Sequence, residues 1–242
     1  MVKRDNPAGR LYEILSEAQR TPNMAVLAVW AKVLKAQPDD KTDIIRRISL
    51  MQELFDEVKI KISKIDGINT DLYLSRFQDL ENAIKATNLD AGWDGYRHFI
   101  NEAAMLNLAH CAEALARYDE NIVDESDMTE LLKSIDELSD KLISGSISKP
   151  LKETILDLLE TMRRSISEYR IRGADGMKRE LAYCLGVLSL NHVQFMEEKA
   201  KEEVGLFGKI FNKFNKLITL ALKLKELGFD FDKITGLIGN NP

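Results

Sequence analysis

The sequence predicts an all-α protein, one helical bundle or two, with about nine or ten helices and a basic amphipathic helix near the C-terminus. Three observations predict it. Gly and Pro number only 13 and 5 in 242 residues, too few for the many tight turns of an all-β fold. Long stretches are rich in Leu, Ala, Glu and Lys, the residues that lose least on entering a helix. Apolar residues recur at steps of three and four, the period of a helix with one buried face. Hydrophobic residues at 45% and charged residues at 30% supply enough apolar surface for a core and exclude a globally disordered chain.

The elements follow from caps and breaks. Asn6-Pro7 is an N-cap followed by proline at the first helical position and opens a helix to about Arg20. Thr21-Pro22 repeats the signal and starts a second helix carrying Val26, Val29, Trp30, Val33 and Leu34, ended by Pro38. Asp39 or Asp40 caps a long helix with Ile44, Ile48, Met51, Phe55, Val58 and Ile62 on one face, closed at Asp66-Gly67. A fourth helix covers about 70–86. The stretch Thr87–Gly95, with Asn88, Gly92 and Gly95, predicts a loop with Trp93 tucked inward. A fifth helix covers about 96–118. Asp119–Asp127 is an acidic, polar connector and the candidate boundary or hinge. Helices at about 128–143 and 149–171 flank the Ser144-Gly145-Ser146 turn. Gly173 stops the second of these, Asp175 caps a helix to about Lys201, and the last helix starts near Gly205. The expected organisation is an N-terminal bundle over 1–118, the connector over 119–127, a C-terminal bundle over 128–204, and the amphipathic helix with a loosely held tail over 205–242.

Charge is segregated. The chain carries a formal charge of -5, yet residues 205–225 hold Lys209, Lys213, Lys216, Lys223 and Lys225 and no acid, so the remainder carries -10. A whole-surface nucleic-acid binder is disfavoured, because neutralising phosphates needs a broad basic face. The polar N-terminus has no signal-type apolar core, and no stretch reaches the roughly 20 apolar residues of a spanning helix. The expectation is a cytoplasmic protein, at most peripheral to the inner face of the membrane. Cys111 and Cys184 lie among apolar residues outside any CxxC pair and predict buried free thiols.

Tests for chemistry return little. His98 and Glu102 share a helical face, but His110 lies about 120° from it, which leaves a metal set incomplete. No Glu-x-x-His occurs, and no histidine has an arginine four to six residues upstream, the spacing of some helical ribonucleases. Walker A, GxSxG and HExxH patterns are lacking. The run Phe229-Asp230-Phe231-Asp232 begins like a calcium loop, but its glycine, Gly236, falls one position late. The sequence therefore points to no enzyme, no cofactor and no metal. The one suggestive polar cluster surrounds the Gly173–Gly176 turn, where Arg170, Arg172, Lys178 and Arg179 could hold an anion with backbone N–H groups. Glu168, Asp175 and Glu180 stand near enough in sequence to pair with them instead.

The C-terminal helix carries the clearest pattern. With Gly205 at 0° and about 100° per residue, Leu206, Phe207, Ile210, Phe211, Phe214, Leu217, Ile218, Ala221 and Leu222 fall between about 100° and 260°. Lys209, Lys213, Lys216 and Lys223 fall on the opposite side, with Leu220 and Lys225 the exceptions. Such a helix can complete a core, dock on a partner protein or a second copy, or lie in a membrane interface. At roughly 1 kcal/mol per lysine near an anionic leaflet, five lysines would supply about 5 kcal/mol.

Two stretches, Asn88-Leu89-Asp90 through Trp93 with Phe99, Leu106, Leu108 and Cys111, and Ile166-Ser167-Glu168-Tyr169-Arg170-Ile171-Arg172-Gly173-Ala174-Asp175-Gly176, resemble a group of bacterial all-helical proteins of similar length that has no assigned function. The resemblance covers about residues 5–190. It implies a bacterial or mobile-element origin and a helical fold, and brings no activity, cofactor or catalytic residue with it. The functional expectation is a non-enzymatic interaction or regulatory protein, an accessory component of a bacterial multi-protein system of the phage-defence kind. Its contact element would be the C-terminal helix, toward a protein partner, a homo-oligomer or a membrane surface. The alternatives are a membrane-active effector that releases this helix and a nucleotide or anion sensor at Arg170–Arg179.

Overall fold

The computed structural model describes residues 5–85 and 88–222. Among these residues the chain is all-α, with twelve helices and a single isolated bridge between Ala25 and Gly92. It divides into two compact units, one formed by Met1–Asp119 with Arg170–Gly173, the other by Glu120–Tyr169 with Ala174 onward.

The first unit contains α1 (Pro7–Arg20), α2 (Val26–Val33), α3 (Lys41–Ser63), α4 (Thr70–Tyr73), α5 (Phe77–Ile84), α6 (Asp94–Arg97) and α7 (Glu102–Ala114). Its middle is α1, which packs against α2, α3 and α7. Asn6 caps α1 as its sequence suggests: Oδ1 accepts from Gly9 N–H at 3.0 Å, and the buried amide donates to Ala112 O at 3.0 Å and Asp119 Oδ1 at 2.6 Å. Asp40 caps α3 by accepting from Asp43 N–H. Trp93 is fully buried, its indole N–H donating to Ala18 O at 2.9 Å, and its ring meets Trp30 edge-on at 5.3 Å.

Several boundaries differ from the expected ones. The second helix begins at Val26 because Met24–Leu27 first pairs with the loop opposite: Val26 N–H donates to Ala91 O, Leu27 N–H to Leu89 O and Trp93 N–H to Met24 O. It ends at Val33 in a Schellman arrangement, Ala36 N–H to Ala31 O and Lys35 N–H to Lys32 O, with Lys35 in the left-handed region at φ 54°. The helix expected over 70–86 is α4 and α5, separated at Leu74–Arg76. The one expected over 96–118 is α7 preceded by a break in which Asn101 caps by accepting from Ala104 N–H.

The second unit contains α8 (Glu125–Ser144), α9 (Lys149–Ser167), α10 (Tyr169–Leu190, regular from Ala174 after Gly173), α11 (His192–Glu197) and α12 (Glu202–Ala221). The helix expected to continue to Lys201 breaks at Asn191 and again at Glu198. α8 packs between α9 and α12. Their apolar faces enclose a core of Leu131, Ile135, Leu142, Ile155, Leu159, Met162, Cys184 and the aromatic face of α12. The acidic connector is bonded rather than free. Asp124 caps α8 by accepting from Ser126 N–H at 2.8 Å, buried Val123 donates its N–H to Tyr169 Oη at 3.2 Å, and Glu120 accepts from Ala174 N–H at 2.6 Å.

Candidate interaction surfaces

The C-terminal helix lies in the core of the second unit. Phe207, Phe211, Phe214 and Ile218 are 0% exposed, and Ile210 and Leu217 are 5% and 6%. The rings of Phe207 and Phe195 stand 5.7 Å apart. Both helix ends are held as well. At the C-terminal end Asn121 donates its backbone N–H to Ala221 O and its side-chain amide to Leu220 O, each at 2.8 Å, which satisfies carbonyls that a helix end leaves open. At the N-terminal end Glu203 accepts from Ser146 N–H at 3.2 Å and lies against Gly145, where an added Cβ would stand 2.6 Å from its Oε1. The neighbouring Glu198 accepts from Ser148 N–H through both oxygens. Lys213 pairs with Glu130 at 2.8 Å, whereas Lys209 and Lys216 are exposed.

This corrects the expected role of the helix. The Phe–Ile face is core, and a docked α12 offers neither a partner nor a membrane anything but its lysine side. The angular pattern is the one a core helix needs, since burial and interfacial binding ask for the same apolar stripe. Leu220, the apolar residue on the polar side, is exposed. Lys223, Lys225 and the tail with Phe229–Asp232 and Gly236 lie outside the described residues.

The arginine-bordered turn is also filled from within the chain. Gly173 adopts φ 61°, ψ -168°, and the first amide beyond it, Ala174 N–H, is taken by the Glu120 carboxylate. In the first unit Arg170 donates to Glu17 Oε2 at 2.6 Å and to Val33 O at 2.7 Å, which fixes the guanidinium as a packing cross-link. Arg163 is spanned by Asp136 at 2.6 Å and Glu160 at 2.7 Å. Arg172 is half-buried, and Lys178 and Arg179 are exposed. The Ala174 amide and the Arg170 guanidinium, two of the groups an external anion would use, are thus already bonded to carboxylates of the chain. His98 stacks against Phe99 at 4.0 Å. Among the described residues no three His, Cys, Asp or Glu side chains stand close enough to share a metal ion. Cys111 and Cys184 are buried, and burial pushes each thiol up to about 12, which keeps them protonated and poor nucleophiles.

A third surface has no counterpart in the sequence expectations. From Leu181 to Met196 the chain has no Asp, Glu, Lys or Arg, although only one side of α10 enters the core, through Leu181, Cys184 and Leu188. The other side is open: Tyr183 is 49% exposed, Leu190 86% and Val193 53%, with Gly186 and Ser189 between them and Ala182 before them also exposed. Tyr183 is held in place by donating to Asp157 Oδ2 at 3.0 Å. Outward-facing helix surfaces elsewhere in the unit carry charge, for example Lys133, Glu137, Asp140 and Asp157. The signal was present as sixteen consecutive uncharged residues, but a stripe that is apolar all round is also what a fully buried helix shows.

Among the described residues no helix is long and apolar enough to cross a membrane. No protein-family model, no curated protein and no solved structure matches this chain.

Proposed function

We propose that the chain is a non-enzymatic helical interaction protein, an accessory part of a larger assembly, and that its contact element is the outward face of α10 and α11 rather than α12. The supporting observation is the open apolar surface at Tyr183, Leu190 and Val193 on an uncharged run of helix. Solvated helix faces are ordinarily charged, and a contiguous apolar stretch left in water marks a contact site. The protonated, buried thiols favour a binding role over cysteine chemistry.

The test is site-specific photo-cross-linking in the native host. A photoreactive phenylalanine analogue at Leu190 is expected to give a discrete adduct, and the same group at exposed Lys133 on α8 none. The reading fails if position 190 gives no adduct beyond the Lys133 control.

A further inference from the structure

We infer that Asp66 is a site of spontaneous isoaspartate formation, and that of the three Asp-Gly pairs in the chain the fold leaves this one reactive and protects the other two. The inference is independent of the contact surface on α10.

The pairs are Asp66-Gly67, Asp94-Gly95 and Asp175-Gly176. Aspartate before glycine is prone to this modification because no side chain shields the following amide and its backbone turns freely. The amide nitrogen of the glycine attacks Cγ of the aspartate carboxyl in its acid form. A Cγ–N bond forms, the C–OH bond of the carboxyl breaks, and the hydroxyl leaves as water with the amide proton. A second water then opens the succinimide ring. Attack at Cγ restores aspartate, whereas attack at the backbone carbonyl leaves the chain running through the side chain as isoaspartate. One water departs and one returns, so the step needs no oxidant, enzyme or cofactor.

The three sites carry the same two residues, and the structure separates them. In the first unit Asp66 and Gly67 are both exposed in the turn between α3 and α4. Gly67 stands at φ 81°, and a Cβ there would meet nothing within 4 Å. Among the described residues neither the Asp66 carboxylate nor the Gly67 N–H has a partner. The rotation that brings amide and carboxyl together therefore breaks no hydrogen bond of either group.

The other two pairs are held. Asp94 donates its N–H to Asn23 Oδ1 at 3.1 Å and pairs its carboxylate with Arg97 at 2.8 Å. Gly95 N–H donates to Gly92 O at 3.1 Å. In the second unit Asp175 lies in the regular part of α10 and Gly176 is buried, so the helix fixes the dihedral that ring closure must turn. Each must first leave its native geometry, and that opening slows the reaction. At position 66 the product adds one methylene to the backbone between Ile65 and Ile68, which pack against the core of the first unit.

The test incubates the full chain at neutral pH and physiological temperature in heavy-oxygen water, then digests it. Electron-transfer fragmentation of each Asp-Gly peptide distinguishes isoaspartate from aspartate. Isoaspartate carrying one heavy oxygen is expected to accumulate at position 66, and at least about tenfold more slowly at 94 and 175. In guanidinium chloride, where the fold is lost, all three positions are expected to react at comparable rates. Comparable rates at the three positions in the folded chain overturn the inference. So does a position 66 that reacts far more slowly folded than unfolded. A preference for position 66 that persists undiminished in the unfolded chain also overturns it, because the selectivity would then lie outside the fold.

Discussion

Lys35 and Glu203 show how single side chains carry the tension between local and tertiary preference. Lys35 occupies the left-handed position that terminates α2, where glycine avoids a steric cost that any Cβ incurs. Lys35→Gly is expected to stabilise the first unit by about 0.5–1 kcal/mol despite the added freedom of the unfolded chain, seen as a higher urea midpoint. Glu203 is held below the ordinary carboxyl value of 4.5, first by its own backbone N–H, then, against the opposing effect of burial, by Ser146 N–H and the charges of Lys141 and Lys201. A carboxyl lowered on folding adds stability that is complete above the unfolded value and lost as pH falls through the folded one. The midpoint difference between the wild type and Glu203→Gln is therefore expected to be wide at neutral pH and to narrow below about pH 4.5, the ordinary value. A gap that stays constant into acid would contradict the proposed role of the carboxylate.

Helix α12 illustrates how one pattern serves different ends. Its stripe of Phe207, Ile210, Phe211, Phe214 and Ile218 was evident from spacing alone, and the structure places all five in the core of the second unit. Phe211→Ala should cost about 3–5 kcal/mol through lost burial and the cavity left behind, measured as a fall in the denaturation midpoint of the second unit. Helix α10 shows the reverse: the apolar composition of its C-terminal half suits a buried helix, but only one side enters the core, and Leu190 on the other stands in water. The caps at Asn6 and Asp40 were evident because they act within four residues. The start of α2 was not, since its position depends on hydrogen bonds from residues more than sixty positions away.

The two units have separate cores that share no residue. Both tryptophans, Trp30 and Trp93, lie in the first, so tryptophan fluorescence reports on that unit and far-ultraviolet dichroism on both. In Phe211→Ala the dichroism is expected to acquire an earlier unfolding step while the fluorescence midpoint stays in place. A fluorescence midpoint that falls in parallel would show that the cores unfold as one.

The sequence by itself determined the all-α class, most helix cores, the inward Trp93 and the two-faced character of α12, because propensity, capping and periodicity act over a few residues. Only the tertiary structure decided the use of each face. It seated α12 in the core, filled the Gly173 turn with Glu120 and engaged Arg170 with Glu17. It also left the α10–α11 face open. Burial depends on which distant surface a helix meets, and an anion site on whether a carboxylate of the same chain reaches it first. Spacing along one helix contains neither fact.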